Sequence, residues 1–356
     1  MRRAARRAGR WALLPVGVLV WLGLLAGPAA ADAARPGDVR SQVTAVTPSA
    51  AGIHAEVLGG DSFLHLRVDP GTQVVVIGYQ DEPYLRVAAD GTVQINDRSP
   101  ARWLNEKRLA DVPVPPSADP TRPPAWRTIG HGGSVSWHDH RTHWMATTKP
   151  EPPVREWSVP LRVDDRAVTI EGNYAYVTPP PIWLWWAVAA AIAMLTTVVA
   201  WSRVALAGAV VGPTGVLAVV VGWALWRVPG GNSAGATAMV LGVIAVAGAV
   251  AGWWGRRGTY GGAFVAAAGA ALVAYALPRI TVFEHAVLIT QLPAALDRLS
   301  VAAAVGAGGA ALALGFRAVA NPVPRPGDEV APGQLGGYQP SGTRASASGG
   351  PQEPRS

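Results

Sequence analysis

Hydrophobic and polar positions change rhythm near residue 178 of the chain. Before that point short runs alternate with a period of two and are separated by turn residues, which predicts strands with one buried face. "GIHAEVLGGDSFLHLRVD" predicts a hairpin turning at Gly59 to Ser62. Counting back from the turn sets Glu56 opposite His65 and His54 opposite Arg67, with Leu64, Leu66 and Val68 toward a core. "QVVVIGYQ" reads as a more buried strand, "PYLRVAADGTVQIN" as a second hairpin around Asp90-Gly91, and "WSVPLRVDDRAVTIEGNYAYV" as a third. The proline-rich "DVPVPPSADPTRPPAW" between them cannot be an interior strand.

After "TPPPIW" the alternation gives way to long uncharged runs, which predict five membrane spans: Ile182 to Trp201, Val204 to Trp226, Ala234 to Trp254, Tyr260 to Leu277 and Leu299 to Ala318. "RITVFEHAVLITQLPAALDR", before the last span, carries Glu284, His285, Gln291 and Pro293 and predicts an interfacial or re-entrant segment lying against the β domain. At the start, arginines precede an apolar run and the small residues "PAAADAA", the pattern of a signal peptide cut after Ala31 or Ala33. The last residues are rich in Pro, Gly and Ser and lack apolar periodicity. The expected organisation is a signal peptide over 1–33, an extracytoplasmic all-β sandwich (Ig-like or cupredoxin-like) over 34–178, a five-helix transmembrane domain over 179–320 and a disordered cytoplasmic tail over 321–356.

Composition narrows the chemistry. Half of the 356 residues are hydrophobic and only 15% are charged, as a multi-pass membrane protein requires. The formal charge of +7 reflects arginines in the first ten residues and beside the apolar runs, which marks topology and not a nucleic-acid surface. Arg203, Arg256, Arg257 and Arg317 fall at the predicted cytoplasmic ends, although Arg227 and Arg279 oppose them. No cysteine is present, which excludes disulfides, iron–sulfur clusters, thiolate zinc sites and cysteine nucleophiles. No ionisable residue falls at mid-membrane depth, which argues against a self-contained transporter. The expected partners are the lipid bilayer and another envelope protein.

One stretch concentrates reactive side chains: "SWHDHRTHWM", Ser136 to Met145. Imidazole binds Cu(II) and Zn(II) without any thiol, so His138, His140 and His143 are the candidate metal ligands, for copper before zinc. Regular structure cannot unite them. A strand puts His138 and His140 on one face and His143 on the other, and a helix pairs His140 with His143 alone, so three ligands need a bulge or turn near Arg141-Thr142 or a ligand brought from His131, His54, His65 or His285. The alternative is structural: Trp137, Trp144 and Met145 in the core, Asp139 paired with Arg141, and the histidines donating to carbonyls. No catalytic residues are expected, since a Ser136, His138 and Asp139 device would join sequence neighbours that rarely point at one another. His65 with Glu56 reads as a cross-strand ion pair.

"GYQDEPYLRV", "SPARWLNEKR", "SWHDHRTHWM" and "LPAALDR" resemble segments of a group of actinobacterial exported multi-pass membrane proteins with a WHDHRxHWM motif, over most of residues 35 to 320. The resemblance implies export and layout and carries no activity. The layout is more distantly similar to copper-resistance proteins that fuse a CopC-like to a CopD-like domain. The N-terminal histidine ligand of CopC-like domains has no counterpart at Asp32 or Ala34.

Overall fold

The structure is a computed structural model that describes residues 34–108, 112–146, 148–229, 231–255 and 260–321. The predicted signal peptide and all of the predicted tail but Asn321 lie outside the described residues. The first part is all-β: β1 (Val39–Thr47), β2 (Ile53–Leu58), β3 (Phe63–Val68), β4 (Val74–Ile77), β5 (Pro83–Val87), β6 (Val93–Asn96), β7 (Trp126–Gly130), β8 (Ser134–Trp137), β9 (Val154–Val163) and β10 (Arg166–Tyr176). One short helix, α1 (Pro100–Leu104), interrupts it. A seven-stranded sheet runs β1-β10-β9-β4-β5-β6-β7 and a three-stranded sheet runs β2-β3-β8, antiparallel throughout.

Their inner faces form one core. Leu64, Leu66 and Val68 from β3 meet Val74 and Val76 from β4, and Val159, Leu161 and Ile170 from the β9–β10 hairpin. The predicted register holds residue for residue, with His54 opposite Arg67 and Glu56 opposite His65. β9 and β10 turn through Asp164 and Asp165, both at positive φ, the two-residue geometry whose twist matches paired strands.

Among the described residues five helices are long and apolar enough to cross a membrane. They are α2 (Ile182–Ala200), α3 (Gly208–Trp226, preceded by a 3₁₀ turn Val204–Ala207), α4 (Asn232–Trp254), α5 (Tyr260–Ala276) and α6 (Ala294–Ala320). Lipid tails offer no hydrophobic drive between helices, so close approach decides which ones pack. A Cβ on Gly215 would fall 2.8 Å from the carbonyl oxygen of Gly242, and one on Gly242 would fall 2.6 Å from that of Gly215. Gly269 and Gly308 zip α5 to α6 in the same way, at 2.6 and 3.0 Å.

α6 begins at Ala294, five residues before the predicted Leu299, and so takes Asp297 and Arg298 into its first turns. These charges are buried because they are satisfied. Asp297 accepts from Arg279 and, at 2.9 Å, from Thr290 Oγ1, while Arg298 donates to the carbonyls of Val282, His285 and Ala286. Together they fold the segment between α5 and α6 into a 3₁₀ turn (Leu277–Phe283) and a loop carrying buried Val287 and Leu288.

That loop meets the β domain. Gly37 and Val287 exchange both main-chain hydrogen bonds, at 3.0 and 2.8 Å. Asp38 Oδ1 accepts the Ala286 amide at 2.8 Å, and the His285 ring lies 3.4 Å from the Asp38 carboxylate. The predicted packing of His285 against the β domain is therefore present.

Candidate functional site

Three segments of the β domain, "GYQDEPYLRV", "SPARWLNEKR" and "SWHDHRTHWM", fold together. β8 delivers Trp137 into the core, and after it the chain turns, the Thr142 amide donating to the Asp139 carbonyl at 2.9 Å. This places a bend where the three histidines required one.

At its centre Asp139 is fully buried. Its carboxylate accepts four N–H bonds: from Trp137 Nε1 (3.0 Å), the Arg141 amide (3.1 Å), Arg141 Nε (2.8 Å) and Arg141 Nη2 (2.7 Å). Burial opposes its charge, but the hydrogen bonds and the cation of Arg141 prevail and hold its pKa below the ordinary carboxylate range. Arg141 also donates to the Ile77 carbonyl and lies over the Tyr79 ring at 4.9 Å. The Tyr79 hydroxyl donates to Asn105 Oδ1 and accepts the His140 amide at 2.9 Å. Burial, then the negative charge of Asp139, drives the Tyr79 pKa upward, so the phenol stays protonated.

Glu82, also buried, fixes the neighbouring turn: it accepts from Ser99 Oγ (2.6 Å), the Gln80 amide (2.8 Å) and the Ala101 amide at the start of α1 (3.3 Å). Tyr79 and Glu82, from "GYQDEPYLRV", thus tie α1 and Asn105, from "SPARWLNEKR", to the His-rich turn. Sequence reasoning missed Glu82, Asn105 and Arg108. The signal available was that a carboxylate and an amide in apolar surroundings need buried partners.

Each histidine of the motif meets a main-chain carbonyl. His138 Nδ1 donates to Ser62 at 2.6 Å and its ring stacks on Phe63 at 4.3 Å; His140 Nε2 donates to Lys107 at 3.0 Å; His143 Nε2 donates to Arg108 at 3.2 Å. The His140 and His143 rings meet edge to face, 5.4 Å between centroids. His143 is 2% exposed, and burial, reinforced by the nearby Arg108 charge, lowers its pKa to about 4, so the ring is neutral at pH 7. Its Nδ1 is buried without a hydrogen-bond partner. Among the described residues no group of three or more His, Cys, Asp or Glu is placed to hold a metal ion. Ser136 bonds not to His138 but to His65 Nδ1, at 2.7 Å, and Glu56, opposite His65, forms no ion pair with it among the described residues.

His138 and Arg108 act on one turn. Ser62 accepts from His138, and Arg108 Nη2 grips both oxygens of Asp61 at 2.7 and 2.8 Å. Burial outweighs that cation and raises the Asp61 pKa. The other side of this Gly59 to Ser62 turn rests on the membrane bundle, for a Cβ on Gly60 would stand 2.8 Å from Val287 Cγ1.

Fold and site define a β-sandwich joined to five membrane-spanning helices, with a polar, hydrogen-bonded His-rich turn behind the surface where the two parts touch. Comparison of the chain with protein-family models, with curated proteins and with solved structures finds no match.

Proposed function

We propose that this protein is a non-catalytic cell-envelope scaffold: a rigid extracytoplasmic β domain held on a multi-pass membrane anchor and presented to another envelope protein. The observation that carries the reading is that the imidazoles of His138, His140 and His143 each spend an N–H on a carbonyl, and that those of His138 and His143 brace the segments gripping the Gly59 to Ser62 turn. A carbonyl on one ring nitrogen is compatible with metal on the other, so the reading leans on placement: among the described residues the three imidazoles form no group set to hold an ion, while their donors are distributed over Ser62, Lys107 and Arg108.

The charges at the helix ends support the orientation. Arg279 is taken up by Asp297 and Arg298 by carbonyls, which leaves Arg227, among the described residues, as the one exposed arginine at span ends on the β-domain side. Arg203, Arg256, Arg257 and Arg317 belong by sequence to the opposite ends. That bias favours an extracytoplasmic β domain.

One observation favours a second reading, in which His138, His140 and His143 handle copper: the unpartnered Nδ1 of His143 close to His140. Equilibrium dialysis of the full chain in detergent against Cu(II) and Zn(II) separates the two. The scaffold reading expects no stoichiometric uptake. One ion per chain, lost in a His138→Ala/His140→Ala variant that keeps its melting transition, would establish metal handling instead.

A further inference from the structure

A cleft of about 340 Å³ opens in the β domain beside the seam, walled by Asp38, Asp61, Arg108, Trp144, Lys149 and Tyr176, with Asp38 bonded to the helical part through the Ala286 amide. We infer that it holds the phosphate group of an anionic lipid from the leaflet on the β-domain side.

Charge comes first. Asp61 and Arg108 cancel in their two-pronged pair, and Asp38 is occupied by the Ala286 amide and His285. The Lys149 ammonium remains. It stands over the Tyr176 ring at 4.5 Å, and among the described residues no carboxylate lies within ion-pair distance of it. Arg155 stands over the other aromatic wall, Trp144, at 5.6 Å, again with no carboxylate partner among the described residues. Set against the carboxylates of Asp38 and Asp61, the cations Arg108 and Lys149 in the lining and Arg155 behind Trp144 leave one net positive charge around the cleft, and an ammonium with three donors suits a phosphate oxygen.

Depth comes second. Asp38 is bonded to the loop that joins α5 to α6, and Tyr176 precedes the first span by a linker, Val177 to Pro181, that reaches about 18 Å at most. The headgroup layer is roughly 5–8 Å thick on each side of the hydrocarbon. A Trp and a Tyr lining a polar cleft at that height match the side chains that favour the membrane–water boundary.

The chain has two lysines, which supplies the control: Lys149 walls the cleft and exposed Lys107 does not. Full-length protein in detergent is incubated with phosphatidylglycerol or phosphatidylcholine, and retained lipid is counted by native mass spectrometry. The wild type is expected to retain phosphatidylglycerol preferentially. Lys149→Glu should cut that retention by about fivefold or more, while Lys107→Glu leaves it unchanged and Lys149→Arg restores it. Equal retention of the two lipids by the wild type, or a Lys149→Glu variant indistinguishable from it, overturns the inference. So does displacement of phosphatidylglycerol by equimolar inorganic phosphate, which would make the site one for a free anion.

Discussion

The β domain and the helical bundle are held together by opposite means. In the β domain, large side chains fill the core and the loops around it are fixed by buried polar groups, each with named donors and acceptors: Asp139 with Arg141 and Trp137, Glu82 with Ser99, His138 with Ser62. In the bundle the contacts are glycines against carbonyls, Gly215 on Gly242 and Gly269 on Gly308, with almost no polar chemistry between helices. The bundle turns polar at the end facing the β domain, at Asp297, Arg279, Thr290 and Arg298, and that end carries the seam. In water a loop acquires a unique shape by satisfying polar groups; in lipid a helix pair acquires one by fit. A protein that must hold the two rigidly together needs polar chemistry at the junction. The His-rich turn and the "LPAALDR" segment supply it from either side.

The largest expected effect comes from breaking the polar regime at its centre. Asp139→Ala strands the Arg141 guanidinium beside Tyr79 and should destabilise the β domain by about 3–5 kcal/mol. Chemical denaturation followed by tryptophan fluorescence should show that transition moving, with the far-ultraviolet helix signal of the bundle unchanged. A joint loss of both transitions would mean that the two parts do not fold by separate rules.

Next in size is pH. An unfolded chain protonates His143 near 6.5, whereas the folded ring stays neutral down to about 4. Its contribution to stability is therefore complete above about pH 6.5, is lost as pH falls between the two values and is flat below them, a change of about 3 kcal/mol. His143→Gln keeps a donor for the Arg108 carbonyl and does not titrate, so thermal melts of the variant between pH 7 and pH 4 should lack that slope. An unchanged slope would place the titrating group elsewhere.

The smallest effect concerns fit. Gly242→Leu drives a side chain into the Gly215 carbonyl and Val219, which should cost the bundle about 1–3 kcal/mol in a sodium dodecyl sulfate titration. The pH response of the β domain should stay as in the wild type. If it moved as well, the seam would transmit packing strain between the two parts.

How much of this was legible in sequence follows the same division. The hairpin register at Glu56 and His65 could be counted because turn and alternation are local, and the spans could be placed because composition alone sets them. The turn at Asp139 to Thr142 was legible only as one of two ways in which the three histidines, at a spacing that regular backbone cannot unite, could form a site. What they do instead was not. Ser62 lies 76 residues from His138, and Arg108 lies 35 from His143. Periodicity carries no information about such partners. α6 begins before the apolar run for a related reason: Asp297 and Arg298 interrupt that run in the sequence, and only the partners at Arg279, Thr290 and the loop carbonyls make them part of a buried helix. Ser136 likewise finds its partner across the sheet, His65 on the adjacent strand, 71 residues away.

The measurement that bears most directly on the structural role of the motif is hydrogen exchange of the full chain in metal-free buffer, comparing wild type with His138→Ala. The amides to follow are those of Ser41, Asp61 and Val287, which bond within and across the braced turn and the seam. Loss of the His138 brace should speed their exchange by about three- to tenfold with chelator present throughout. Exchange unchanged by the variant, but slowed in the wild type by Cu(II) or Zn(II) and released by chelator, would contradict that role and return the three histidines to metal binding.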